Sequence, residues 1–174
     1  SGPILEALCE EIHETVALAV WGTHGATIVR IADPGGPVSI TLRLGTTLPL
    51  CNSATGRAFA TFYRSPYLKA MLDEELRANS EITKTAITII RRQFEKTLLE
   101  TKEHGIARAT HSLTPGINGF SAPVYGHTGN MVAAITSLGA VGEFNVEWGN
   151  PAATAMLAAA SALSHRLGFS ATVG

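Results

Sequence analysis

The residues of this sequence best suited to chemistry fall in one short stretch, Pro49 to Ala60, PLCNSATGRAFA. Cys51 is a nucleophile only as a thiolate, which needs a nearby histidine or a helix N-terminus to lower its pKa. A helix beginning at Ser53 would supply the second of these. No specific nucleophile signature accompanies the cysteine, the C-G-[SA]-C-[WY] context included, so covalent work by Cys51 is not expected. The next four residues point elsewhere. Ser53, Ala54, Thr55 and Gly56 stand at a helix start, where unpaired backbone N–H groups and the helix dipole favour an anion. Small side chains there let a carboxylate or carbonyl approach the backbone, and the Thr55 hydroxyl is a further donor. The competing reading is a capped helix packed closely on a strand. On the anion-receiving reading, a bulky residue at Gly56 abolishes ligand binding while Cys51→Ser leaves it intact.

The six histidines are His13, His24, His104, His111, His127 and His165. None of them forms an H-x-x-H, H-x-x-x-H or H-E-x-x-H pair, so no metal site is expected. His111 stands apart, because it falls in an irregular segment where a binding loop is expected, although a solvated loop histidine is the alternative. The turns GTHG and GHTGN form neither a G-x-G-x-x-G nor a Walker loop, so no nucleotide cofactor is expected. Arg57, Arg91 and Arg92 are the cations that could meet an anionic ligand, but Arg91 and Arg92 fall on the polar face of a long helix.

These residues need elements to position them. Pro3 suits a first helical position, and Ile4, Leu5, Leu8 and Ile12 recur at helical spacing up to His13. Thr15 to Trp21 and Ala26 to Ala32 are apolar runs that read as a hairpin. Val38, Ile40, Leu42 and Leu44 alternate with polar residues, which predicts a third strand with one buried face. Helices follow from Ser53 to about Tyr63, from Pro66 to about Asn79, and from Thr85 to His104, the last stopped by Gly105. On that long helix Arg91 with Glu95 and Lys96 with Glu100 have i,i+4 spacing. Ile106 to Thr110, Phe120 to Tyr125 and Met131 to Leu138 read as strands. A final helix is capped by Asn150, has Pro151 in its first turn and ends near Gly168. Strand hairpins on either side of a block of helices predict an α+β domain around an antiparallel sheet, with residues 1–174 as one unit.

Composition narrows the function classes. The 174 residues are 45% hydrophobic and 16% charged, with a mean hydropathy of +0.19, which excludes a disordered chain. The apolar runs are too short to span a bilayer, so no membrane partner is expected. Thirteen basic and fourteen acidic residues leave a net charge of −1, which lacks the basic footprint of a nucleic-acid-binding domain. Cys9 and Cys51 form no C-x-x-C motif or disulfide framework, as suits a reducing cytoplasm.

Three motifs taken in order resemble one family. LCEEIHETVALAVW (Leu8 to Trp21), PLCNSATGRAFA and HGIARATHSLTPGINGFSAPVYGHTGNMVAAITSLG (His104 to Gly139) are similar to the effector-binding domain of IclR-type transcriptional regulators, and the resemblance spans nearly the whole chain. It implies a GAF-like fold, a curved antiparallel sheet flanked by helices, without enzymatic activity or cofactor. It implies a small-molecule pocket at the sheet, lined by Ala54, Thr55 and Gly56 at the helix start. Ala109, His111, Ile117 and Gly119 would form the second wall, and Thr136 and Leu138 the floor. Where many members carry acidic or small polar residues, this sequence has Ala109, Gly119 and Leu138. Its effector is therefore expected to be an organic acid larger than glyoxylate or pyruvate. The resemblance further implies a homodimer or tetramer, and DNA contact only through an N-terminal winged helix-turn-helix domain that these residues do not include. The rival readings are a small GAF-scaffold enzyme using Cys51 with His111, and a GAF- or PAS-type sensor module of a signalling protein.

Overall fold

In the computed structural model, which describes residues 1–36, 42–111 and 113–171, the chain opens with helix α1 (Gly2–Ile12). Pro3 has no N–H to leave unpaired in the first turn, and His13 ends the helix in the left-handed region at φ 57°. Strands β1 (Thr15–Gly22) and β2 (Gly25–Ala32) form the expected hairpin. The third strand that alternation predicts is only partly within the described residues. Val38 to Thr41 fall outside the described residues, Leu42 to Leu44 are not strand, and β3 is the short Thr47–Leu48 segment. The reason is the turn at Gly45, whose φ is 81°. Ile28 accepts the Gly45 N–H at 2.8 Å and donates to Thr46 O at 2.9 Å, so among residues 42–48 pairing with β2 starts at that turn.

Three helices follow, α2 (Ala54–Phe62), α3 (Leu68–Thr83) and α4 (Ile87–His104). Strands β4 (Ala107–Thr110), β5 (Ile117–Tyr125) and β6 (Met131–Ala140) lead to helix α5 (Pro151–Arg166). Gly105 ends α4 at φ 70°, and the Asn150 side chain accepts the Ala153 N–H at 2.8 Å to cap α5. The ion pairing of α4 departs from its sequence spacing. Arg91 meets Asp73 of α3 at 3.0 Å rather than Glu95 one turn along, and among the described residues no ion pair joins Lys96 to Glu100. Asp73 also takes Lys69 at 3.0 Å, so one carboxylate across the helix pair collects both cations and outcompetes an isolated surface pair.

Among the described residues the strands form one antiparallel sheet in the order β3-β2-β1-β6-β5-β4, with helices on both faces. The two hairpins meet at β1 and β6, which pair from Thr15 with Leu138 to Val20 with Ala133. Side-chain alternation then splits the core. On one face Val16, Phe120, Ala122 and Ile135 pack against Leu5 and Leu8 of α1 and Met156, Ala160 and Leu163 of α5. On the other, Ala17, Ala19, Ala107 and Ala134 meet Ala58 and Phe59 of α2. Alanine on the strands and alanine on the helix let α2 lie close to the sheet, and Trp21, Phe59 and Tyr63 close the packing with ring centroids 4.9–5.6 Å apart. The start of α2 is thereby held over β5 and β6.

Candidate functional site

The helix start is built by hydrogen bonds that use some of its donors and leave others. Ser53 is the cap: its Oγ accepts the Gly56 N–H at 2.8 Å and its hydroxyl donates to Pro49 O at 2.7 Å. A Cβ on Gly56 would lie 1.9 Å from Pro49 O and 2.5 Å from Leu50 Cα. The missing side chain therefore makes room for the incoming chain, and the N–H of Gly56, a residue expected at the site, is spent on the cap. The segment before the helix is clamped from both sides. The Glu75 carboxylate accepts the N–H groups of Leu50 and Cys51 at 2.8 and 2.9 Å. Arg57 donates from Nε to Cys51 O and from Nη1 to Arg108 O, both at 2.8 Å. Its guanidinium thus ties α2 to its surroundings. The N–H groups of Ala54 and Thr55, by contrast, meet no acceptor among the described residues.

Those two donors border a cavity of about 70 Å³ between the start of α2, the sheet, and the loop that joins β4 to β5. Seven of the nine residues singled out in the sequence come together on its walls: Ala54, Thr55, Ala109, Ile117, Gly119, Thr136 and Leu138. Register explains the convergence, since Ala109 pairs with Gly119, Gly119 with Leu138, and Ser121 with Thr136, which points all of them to one face. His111 does not line the cavity. It is exposed at φ 54°, and its Nδ1 accepts the Gly116 N–H at 3.3 Å while its own N–H donates to Ile117 O at 3.1 Å. Its work is to close the base of the loop. Sequence reasoning missed Leu42, Leu48, Leu113, Thr114 and Asn118 on the walls. The alternating pattern around Leu42 and Leu48 was a usable signal, whereas nothing in the loop sequence marked Leu113 or Thr114.

No described residue lining the cavity is ionisable, so a ligand charge there is met by dipoles. Thr55 Oγ1 lies 2.6 Å from Thr136 Oγ1, which lies 2.9 Å from Ser121 Oγ. Three hydroxyl hydrogens serve two bonds, which leaves one hydrogen without an acceptor in the chain. Ser121, Thr136 and Thr55 are all enclosed, with 0%, 1% and 1% exposure, but only Thr55 and Thr136 border the cavity. The order Ser121 to Thr136 to Thr55 is then the one that delivers the spare hydrogen to the cavity, where a ligand oxygen can accept it. Ala54 and Thr55, whose backbone N–H groups are unpaired among the described residues, line the cavity, and in that order Thr55 also brings a spare hydroxyl hydrogen. The rest of the wall is mostly apolar, with Ser53, Thr114 and Asn118 as its other polar residues.

Cys51 is in a different setting. It is buried against Leu76 and Phe94, outside the cavity. Burial, with the Glu75 carboxylate beside it, pushes its thiol from an ordinary value of 9.0 up to about 12, the reverse of what a nucleophile needs. Burial likewise raises the Cys9 thiol, and both cysteines are free. The native protein is expected to resist thiol-labelling reagents at neutral pH and to be labelled twice on unfolding. Because the folded thiol of Cys51 holds its proton more tightly than the unfolded one, its contribution is fully present below pH 9.0 and is lost as pH rises toward about 12. Fast labelling of native Cys51 at pH 7 would overturn this assignment.

Among the described residues no helix is long and apolar enough to cross a membrane. The chain matches the family described as bacterial transcriptional regulator IclR C-terminal over residues 1–165. None of the curated proteins matches it. Among solved structures, HmgR of Pseudomonas aeruginosa is 30% identical with a TM-score of 0.85, the match covering 98% of this chain and 66% of that one. A chain solved as the targeted domain of an IclR-family transcriptional regulator is 26% identical at a TM-score of 0.81, with 98% and 95% covered. The IclR of Thermotoga maritima shares the fold at 21% identity and a TM-score of 0.76, with 97% and 67% covered. The curled antiparallel sheet with flanking helices is thus the GAF-like fold of these domains, and the chain spans about two thirds of the length of the HmgR chain.

Proposed function

The chain belongs to the IclR family of bacterial transcriptional regulators, as their C-terminal domain, and we propose that it receives a small organic acid at the start of α2. The observation that carries this reading is that Ala54 and Thr55, with unpaired N–H groups and the Thr55 hydroxyl, line a largely apolar cavity that holds no ionisable side chain among the described residues. A carboxylate satisfies all three donors, and the dipole of α2 favours its charge. The apolar part of the acid then lies against Leu42, Ile117 and Leu138. An engineered cavity that takes benzene measures roughly 150 Å³, about twice the space here, so an aromatic acid requires Leu113, 42% exposed on its loop, to swing aside.

Residues 1–174 act as one sensing and oligomerising domain with no chemistry of their own. The raised thiol of Cys51 and the structural hydrogen bonds of His111 support that reading over an enzyme pairing the two. In the full-length cytoplasmic regulator, an N-terminal winged helix-turn-helix domain binds DNA, and the longer HmgR chain supports that arrangement. The acid alters DNA binding by having different affinities for two arrangements of the subunits. The outer surface of α5, where Leu157 is exposed, offers a contact for a dimer or tetramer. Sedimentation at micromolar concentration is expected to give two or four times the 18.3 kDa chain mass, and a monomer throughout would remove the oligomerising role.

Thermal melts with aliphatic and aromatic acids, each beside its neutral amide, test the ligand class. At a hundredfold excess over Kd, binding adds about 2.7 kcal/mol, which raises Tm by about 5–10 °C for a chain of this size. The amide, lacking the charge, is expected to give little. Equal shifts from acid and amide would exclude an anion-receiving helix start.

A further inference from the structure

A second polar cleft, of about 460 Å³, lies on the other face of the sheet, under the loop between β6 and α5. Arg108, Thr110 and Asn118 face it from the edge of the sheet, and Phe144, Val146 and Glu147 close it from the loop. Two side chains in it carry unmet demands. Asn118 is 8% exposed. Its Nδ2 donates to Phe144 O at 3.0 Å, which fixes the amide orientation, yet its buried Oδ1 has no hydrogen-bond partner. Arg108 donates from Nη1 to Val146 O at 3.2 Å and stacks its guanidinium 4.2 Å from the centre of the Trp148 ring. Among the described residues no carboxylate pairs with it. A half-buried guanidinium held rigid by stacking and lacking a counter-ion is suited to a small anion.

We propose that this cleft is a second ligand site, which takes a small carboxylic acid bearing a hydroxyl or amine close to the carboxylate. The carboxylate meets Arg108 and the hydroxyl or amine donates to Asn118 Oδ1. Register supports the pairing. Arg108 pairs with Phe120 and Thr110 with Asn118, so Arg108, Thr110 and Asn118 share one face of the sheet. One short loop anchors both side chains, through the carbonyls of Phe144 and Val146, and an acid with its donor beside the carboxylate offers one group to each. Glu147 at the rim adds a partner for an ammonium group, while the Glu100 carboxylate lies in an adjoining cleft that shares Arg108 and Thr110. Asn118 also borders the cavity at α2, so the two sites adjoin at that residue and differ in the rest of their polar groups.

Amide NMR titration of the 174-residue chain with L-lactate, L-alanine and propanoate tests it, since the three share a short carbon skeleton and only propanoate lacks the donor. Lactate or alanine is expected to shift the Asn118 side-chain amide resonances and to bind about tenfold or more tightly than propanoate, which leaves Oδ1 unmet. Arg108→Met, which keeps a stem on Trp148, should weaken binding by a similar factor, and Thr55→Val in the other cavity should not change it. The site is excluded if neither lactate nor alanine moves Asn118 up to its solubility limit, if propanoate binds as well, if folded Arg108→Met binds normally, or if Thr55→Val abolishes the shift. Should Arg108→Met fail to fold, the comparison of the three acids on the unmodified chain still decides.

Discussion

Gly56→Ala is expected to cost about 3 kcal/mol, the upper end for forcing an atom into a packed site, and so to lower Tm by about 6–12 °C for a chain of this size. The added Cβ would stand 1.9 Å from Pro49 O, 2.5 Å from Leu50 Cα and 2.7 Å from Pro49 C. All three are backbone atoms, and none can rotate away. Moving that backbone breaks the Glu75 bonds to Leu50 and Cys51 and the Ser53 bond to Pro49. Alanine recovers about 1 kcal/mol of helix propensity, which is too little to offset the clash. The same change at Gly119 meets the flexible end of Leu138 at 2.9 Å and Ser137 O at 3.2 Å, so Gly119→Ala should cost about 1 kcal/mol or less. Parallel melts of the two variants decide the matter. A Gly56→Ala protein as stable as Gly119→Ala would mean that the segment before α2 is not pinned.

That contrast shows why the site was only partly legible in the sequence. Cap, small residues and alternation singled out Ala54 and Thr55 and the paired positions Gly119, Thr136 and Leu138, which the fold brings onto the walls of one cavity, because these follow from chain-local periodicity. Whether a glycine admits a ligand or another strand of backbone depends on tertiary approach, and the sequence around Gly56 reads the same either way. The i,i+4 spacing of Arg91 and Glu95 is likewise a local signal, and it lost to Asp73 on a packed neighbour. Alternation also reached Leu42 to Leu44, where the described chain turns instead, because a period of two marks a segment that suits pairing but does not say where a turn falls. His111 is a similar case: an irregular loop predicts availability, yet its imidazole closes the loop on the Gly116 N–H. The Thr55–Thr136–Ser121 chain of hydroxyls joins three elements and left no sequence signal at all.

Thr55→Val is the change expected to separate binding from folding. Valine keeps nearly the same shape and removes only the hydroxyl. Thr136 retains its bond to Ser121 at 2.9 Å, so the stability loss is about 1 kcal/mol, the net value of one hydrogen bond. Binding suffers more. The hydroxyl is one of three donors to the carboxylate, and a hydrogen bond to a charged group is worth about 1.5–3 kcal/mol, equivalent to about a 10–150-fold rise in Kd. The Ala54 and Thr55 N–H groups and the dipole of α2 remain, so residual binding of the acid is expected. Thr55→Ser restores the hydroxyl and should recover most of the affinity, whereas Cys51→Ser, buried outside the cavity, should leave it within about twofold of the unmodified chain, since 1.4 kcal/mol corresponds to a tenfold change. Calorimetric titration of the acid that gives the largest thermal shift provides the measurement, with melting curves to confirm that each variant is folded. If folded Thr55→Val binds as tightly as the unmodified chain, the spare hydrogen does not reach the ligand and the hydroxyl order runs the other way. If Cys51→Ser loses binding instead, the anion-receiving helix start is the wrong site.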